Sequence, residues 1–128
     1  MIIGLHHVQV TIPTGMETEA KKFYCNVLGL SEIEKPEALQ RLGGFWIKVG
    51  DREVHVGVEA DFDRTKTKAH VAYQVQDIDH WRNVLEQHHI EIVEAIPLPN
   101  HKRFEFRDPF GNRVELTQVI QHERELNN

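Results

Sequence analysis

The sequence has one cysteine, Cys25, no apolar run long enough to span a bilayer, and no cluster of lysine and arginine. Each shortage excludes something. A single cysteine cannot form an internal disulfide. Without roughly 18 consecutive apolar residues there is no membrane-spanning helix, so no membrane partner is expected. A formal net charge of −5, from 15 basic and 20 acidic residues, argues against a surface that tracks phosphates, so no nucleic acid is expected either. Only Met1 to Leu5 precede His6, too little for a charged and then apolar leader; with the lone cysteine this gives an expected cytoplasmic location.

Histidine, by contrast, is plentiful, with 9 in 128 residues. The remaining composition, 40% apolar and 27% charged, is that of an ordinary soluble globular protein. The length suits one domain, and halves of about 60 residues would each have a marginal core alone.

Two pairs of segments repeat at a near-constant offset of roughly 60 residues. Val54-His55-Val56 is echoed by Val114-Glu115-Leu116, and Leu5-His6-His7-Val8 by Lys68-Ala69-His70-Val71. The expectation is one domain over residues 1–128, built from a module of about 1–60 and a second of about 68–120.

Read in order, residues 3 to 12 alternate as a strand, with Val8, Val10 and Ile12 on one face and His7, Gln9 and Thr11 on the other. Ala20, Phe23, Tyr24, Val27 and Leu28 then follow at helical spacing, with Gly29 as the stop. A short strand at 31–33, a loop at 34–42 and a hairpin of strands 45–49 and 53–58 complete the first module. Residues 59–68 read as a polar linker with a solvated charge set.

The cycle restarts with His70, Ala72 and Gln74 on one strand face. Asp77 is placed to cap a helix carrying Ile78, Trp81, Val84, Leu85 and His88. Strands at 90–93, 102–106 and 113–120 follow, the last two joined by the turn Asp108-Pro109-Phe110-Gly111-Asn112, where Gly111 or Asn112 can supply positive φ. Each half reads β-α-β-β-β, and the charged tail 121–128 reads as a fraying end.

Parity along the strands places His7, His55, His70 and Glu115 opposite the apolar faces. A lone strand histidine in such a place is ordinarily solvent-facing or hydrogen-bonded. Three histidines and a glutamate in repeat-related positions point instead to a divalent ion such as Zn²⁺, Ni²⁺, Fe²⁺, Mn²⁺ or Co²⁺, with metal ligands His7, His55, His70 and Glu115.

Gly4-Leu5-His6-His7-Val8, Phe23-Tyr24 leading to Leu28-Gly29-Leu30, and Asp108-Pro109-Phe110-Gly111-Asn112-Arg113-Val114-Glu115-Leu116 resemble the vicinal oxygen chelate superfamily, which includes glyoxalases, bleomycin resistance proteins and extradiol dioxygenases. The resemblance implies an α+β fold of two β-α-β-β-β modules in an open, mostly antiparallel barrel-like sheet with helices on its outer face. It also implies ligands from the first and fourth strands of each module, and a homodimer. Members related to glyoxalase I have glutamate where this chain has His55. The open alternatives are four ligands, or a triad of His7, His70 and Glu115 with His55 as a base or behind the ligands.

The implied activity is that of a metal-dependent enzyme, a lyase, isomerase or dioxygenase, acting on a small oxygen-rich substrate whose vicinal oxygens chelate the ion; Glu115 or His55 would move the proton. The alternative is a metal-independent small-molecule or drug-binding protein of the resistance type. Arg103 is the candidate for holding an anionic group of the substrate, with Trp46 and Phe104 as candidate pocket walls, although ordinary core packing explains such aromatics equally well. His6 falls opposite His7 by parity, and Cys25 reads as a small buried residue.

Overall fold

A computed structural model describes residues 1–121. The chain forms two compact units, Met1–Asp63 and Arg64–Asn128, which divide within the stretch expected as a linker. The charged tail, including His122, lies beyond Gln121 and outside the described residues. Among the described residues no helix is long and apolar enough to cross a membrane.

The first unit contains β1 (His7–Pro13), α1 (Glu17–Lys21), β2 (Ser31–Ile33), α2 (Glu37–Gln40), β3 (Phe45–Val49) and β4 (Arg52–Glu59). Its sheet has the order β1-β4-β3-β2, with β1 parallel to β4 and the other pairs antiparallel. Strand β1 begins at His7 rather than residue 3 because its parallel partner runs out: His7 pairs with Glu53, just after the Gly50-Asp51 turn reverses the chain. Met1, Ile2, Ile3 and Leu5 are left exposed.

Helix α1 continues into a wider π-helical segment, Lys22–Val27, in which the Leu28 N–H reaches back five residues to the Phe23 carbonyl. Gly29, at φ +72°, ends it, and the Leu30 N–H closes the last turn on the Tyr24 carbonyl. Ala20, Phe23, Tyr24 and Leu28 are buried, as are Ile12, Phe45, Ile47, Val54 and Val56 of the strands, so one face of the sheet and the helix form the core.

The segment expected as a loop at 34–42 holds the short helix α2, with Pro36 just before its first residue. Gly44 follows it at φ +80°, where an added Cβ would stand 2.1 Å from the Val56 carbonyl oxygen. Only glycine permits that approach.

The second unit repeats the plan with β5 (His70–Gln74), α3 (Ile78–Gln87), β6 (Val93–Glu94), β7 (His101–Arg107) and β8 (Arg113–Val119). The sheet order β5-β8-β7-β6 and the single parallel pair, β5 with β8, match the first unit strand for strand. The expected α+β architecture of two β-α-β-β-β modules is therefore present, as two mixed four-stranded sheets, each open at its edges and mostly antiparallel, with two antiparallel pairs to one parallel pair.

Asp77 caps α3 by accepting the His80 N–H at 3.2 Å. At the other end His89 takes the left-handed conformation, φ +58°, while the Ile90 N–H bonds the Leu85 carbonyl. This Schellman-type ending occupies Ile90, so β6 begins at Val93, later than the sequence pattern indicated.

Tyr73, Phe104, Phe106, Val114 and Leu116 are buried with Ile78 and Leu85 of α3. The Arg82 guanidinium of α3 lies 4.9 Å from the Phe104 ring centroid, which fixes the helix-facing side of this sheet. Burial and the nearby Asp108 charge push the Tyr73 phenol far above its ordinary value.

The β7–β8 turn is organised by Asp108, 4% exposed. Its Oδ1 accepts the Phe110 N–H at 2.9 Å and the Asn112 N–H at 2.8 Å, and its Oδ2 accepts the Asn112 side-chain amide at 2.8 Å. Gly111 supplies the positive φ, +99°. Arg64, expected to be solvated linker charge, is instead 2% exposed in a 3₁₀ turn, Arg64–Lys66, and lies beside Gly111. Packing against that turn, rather than solvation, accounts for its burial.

Candidate functional site

In each unit the chemistry lies on the sheet face opposite the core. In the first unit strand register pairs His7 with Glu53 and both Gln9 and Trp46 with His55. The His55 ring lies between two others. Its centroid is 3.8 Å from the Trp46 ring with an interplanar angle of 1°, and 4.0 Å from the His7 ring with an angle of 17°.

His55 Nε2 stands 2.9 Å from Glu53 Oε1, and the residue is only 6% exposed. A histidine on the polar face is thus as buried as its apolar neighbours because aromatic rings cover it. His6, expected on the other face, lies just before β1 and brings its Nδ1 to 3.0 Å from His7 Nδ1. Strand parity does not bind a residue outside the ladder.

In the second unit His70, Glu105 and Glu115 offer ligand atoms within 4.8 Å of one another. Register pairs Ala72 and Glu105 with Glu115, and His70 with Arg113. Glu115 is 7% exposed, and its Oε1 accepts the Arg103 Nη1–H at 3.1 Å. Arg103 is held in turn by donating from Nε and Nη2 to the Ile96 carbonyl at 3.1 and 2.7 Å. Glu105 receives a bidentate clamp from Arg113, Nε to Oε2 at 2.8 Å and Nη2 to Oε1 at 2.5 Å, which holds its carboxyl below the usual carboxylate range.

The donor set suits a divalent ion. His70 Nδ1 lies 3.0 Å from the Lys68 carbonyl; a carbonyl only accepts, so Nδ1 is the donor there and Nε2 is the ring nitrogen turned toward Glu115. That Nε2 is 3.3 Å from Glu115 Oε1. Two acceptors so placed require a proton or a cation in common. Nitrogen and oxygen ligands each about 2.1 Å from one ion, at near right angles, stand roughly 3 Å apart, close to what is seen. A contact from Nδ1 to a backbone carbonyl is of the kind that orients metal-binding imidazoles.

Of the residues singled out from sequence, His70, Glu115 and Arg103 meet in the second unit, and His7, His55 and Trp46 meet in the first. Phe104 does not join them. It is fully buried on the helix-facing side with Phe106, so it is a core residue and not a pocket wall. Parity within β7 settles the matter, because Phe104 alternates with Arg103 and Glu105. The same parity, applied to β7 beforehand, would have found Glu105. Cys25 is half-buried in the first helix, and burial together with the Glu32 charge pushes its thiol up, away from nucleophilic use.

The matching strand order and register make the two faces comparable. His7 corresponds to His70, His55 to Glu115, and Trp46, opposite His55, to Glu105, opposite Glu115. One unit presents an aromatic trio where the other presents an imidazole and two carboxylates.

Comparison with known proteins agrees with this architecture. No curated protein sequence matches the chain. A crystal structure from Bacillus anthracis, provisionally assigned to the glyoxalase family, is 43% identical and superposes with a TM-score of 0.86 over 93% of this chain and 97% of that one. Fold similarity alone extends to further structures, including the following two. Lactoylglutathione lyase from Agrobacterium tumefaciens has a TM-score of 0.69 at 20% identity, over 90% of this chain and 92% of that one. The fosfomycin resistance protein FosX from Listeria monocytogenes, complexed with Mn(II) and sulfate, has a TM-score of 0.71 at 21% identity, over 99% and 98%. Residues 4–116 match the family model described as Glyoxalase/Bleomycin resistance protein/Dioxygenase superfamily, and the chain belongs to that superfamily.

Proposed function

We propose that this protein is a metal-dependent enzyme, with His70 and Glu115 of the second unit as ligands of its ion and His7 of the first as a further candidate ligand. The observation that carries the reading is the His70–Glu115 pair, with Nδ1 engaged by the Lys68 carbonyl and Nε2 3.3 Å from a buried carboxylate oxygen. When bound, a divalent ion acts as a Lewis acid toward two neighbouring substrate oxygens, as in lyases, isomerases and dioxygenases of the superfamily. The FosX relative with Mn(II) favours Mn²⁺ as the first ion to try.

The chain's own groups have separate tasks. Arg103 neutralises Glu115 and presents a cation fixed by the Ile96 carbonyl to an anionic oxygen of a small substrate. Glu115 is the candidate to hold or move a proton, and Trp46 offers an apolar wall on the same face as His7. Exposed Met1, Ile2, Ile3 and Leu5 support burial against a second copy, hence a homodimer. The lone Cys25 suits a reducing, cytoplasmic location.

The test is Mn²⁺ binding by equilibrium dialysis and electron paramagnetic resonance. Wild type is expected to bind, and His70→Ala and Glu115→Ala to weaken binding at least 100-fold while remaining folded. No binding by wild type, or no change in these variants, refutes the proposal; small-molecule binding that survives chelation would point to a metal-independent resistance-type protein.

A further inference from the structure

We infer that His55 is a positioning residue, which holds the His7 ring in place by stacking and does not itself ligate the ion. The inference rests on the proposed reading of His7 as a candidate metal ligand. His55 stands where the repeat puts Glu115 in the second unit, so its position alone suggests a ligand. Its surroundings assign it a different part.

A metal ion binds imidazole in the plane of the ring, about 2.0–2.1 Å from nitrogen. The His7 and His55 rings are stacked, 4.0 Å apart and 17° from parallel. An ion in the plane of either ring therefore stays more than about 3 Å from the nitrogens of the other, outside bonding distance. The two cannot share an ion while the stack persists.

The stack is also braced from both ends. Trp46 covers the opposite face of His55 at 3.8 Å and 1°, and Glu53 engages His55 Nε2 at 2.9 Å. Glu53 belongs to the same strand and pairs in register with His7. His7, exposed at the start of an edge strand, would otherwise keep its side-chain rotamers free. Its orientation is bought with one ring face on His55 and its Nδ1 near His6 Nδ1. A ring so restrained loses less entropy on ligation.

Conservative replacement separates stacking from ligation. His55→Phe keeps a flat ring between Trp46 and His7 and removes both nitrogens; His55→Ala removes the ring. In metal-free protein, the His7 imidazole carbon-bound protons, followed by ¹H–¹³C NMR, are expected to show ring-current displacement that His55→Phe preserves and His55→Ala abolishes. Mn²⁺ affinity is expected to stay within about 3-fold of wild type in His55→Phe and to fall roughly 10- to 100-fold in His55→Ala, the usual effect of losing an outer-shell support.

Loss of Mn²⁺ binding in His55→Phe as complete as in His7→Ala would overturn the inference in favour of ligation. Unchanged His7 signals in His55→Ala would overturn it in favour of a bystander. If His55→Ala fails to fold, Glu53→Ala replaces it, with a shift of the His7 signals expected and no shift overturning the inference. If wild type binds no Mn²⁺, the proposed function fails alone, and the NMR comparison in metal-free protein still decides the part played by His55.

Discussion

Replacing Asp108 by alanine should destabilise the protein by about 3 kcal/mol. The carboxylate is buried and accepts three hydrogen bonds, two from backbone N–H groups of Phe110 and Asn112 and one from the Asn112 amide. A hydrogen bond to a charged group contributes roughly 1.5–3 kcal/mol, and a donor left buried without a partner costs about 1–3 kcal/mol. Three bonds to one carboxylate are not additive, and removing the carboxylate relieves its own desolvation, so about 3 kcal/mol is the net. For a chain of this size that corresponds to a fall in Tm of about 12 °C.

Asp108→Asn is the discriminating control. Its amide oxygen still accepts both backbone N–H groups, but its NH₂ now faces that of Asn112, so the loss should be about 1 kcal/mol, roughly a third of the alanine effect. Thermal unfolding followed by circular dichroism reads both. The turn also sets the β7–β8 register that pairs Glu105 with Glu115, and a slip of one residue would send one of the two carboxylates to the core face; Mn²⁺ affinity should therefore fall in Asp108→Ala. A loss below about 1 kcal/mol in Asp108→Ala, or equal losses in the two variants, would refute the account of the turn.

Two further expectations follow from the second unit. Phe104→Ala should cost about 3–5 kcal/mol by leaving a cavity in the core, whereas the milder Phe104→Leu should bind Mn²⁺ within a few-fold of wild type; selective loss of metal or substrate binding in Phe104→Leu, with stability intact, would return Phe104 to the site. The Tyr73 phenol has its folded-state pKa raised above the ordinary 10.0. Above that pH the unfolded chain releases the proton and the folded protein keeps it, so this contribution to stability is fully present below about pH 10 and is lost as pH rises. Urea midpoints measured from pH 8 to 11 should decline less in Tyr73→Phe than in wild type, and parallel declines would exclude the mechanism.

Much of the fold was legible because the sequence writes the same module twice. Strand alternation in β1, β4, β5 and β8, the Asp77 cap, the Gly29 stop and the Asp108 turn are local signals, each governed by residues close together in the chain. What local pattern missed was governed by distant partners. The start of β1 depends on where β4 begins, the π-type widening of the first helix on how Phe23 and Tyr24 reach the core, and the burial of Arg64 on Gly111, far along the chain. Glu105 was overlooked because β7 was read for its aromatics and not for its alternate face.

For the site, strand parity in the sequence by itself determined that His7, His55, His70 and Glu115 lie opposite the apolar core, since successive side chains must point to opposite faces. Only the tertiary structure decided what each one meets there. It set the His55 ring between Trp46 and His7, turned the His70 Nε2 toward Glu115, and added Arg103 and Glu105 to the same surface. The reason is physical: parity chooses a face, but ring stacking and shared hydrogen bonds depend on register between strands far apart in sequence.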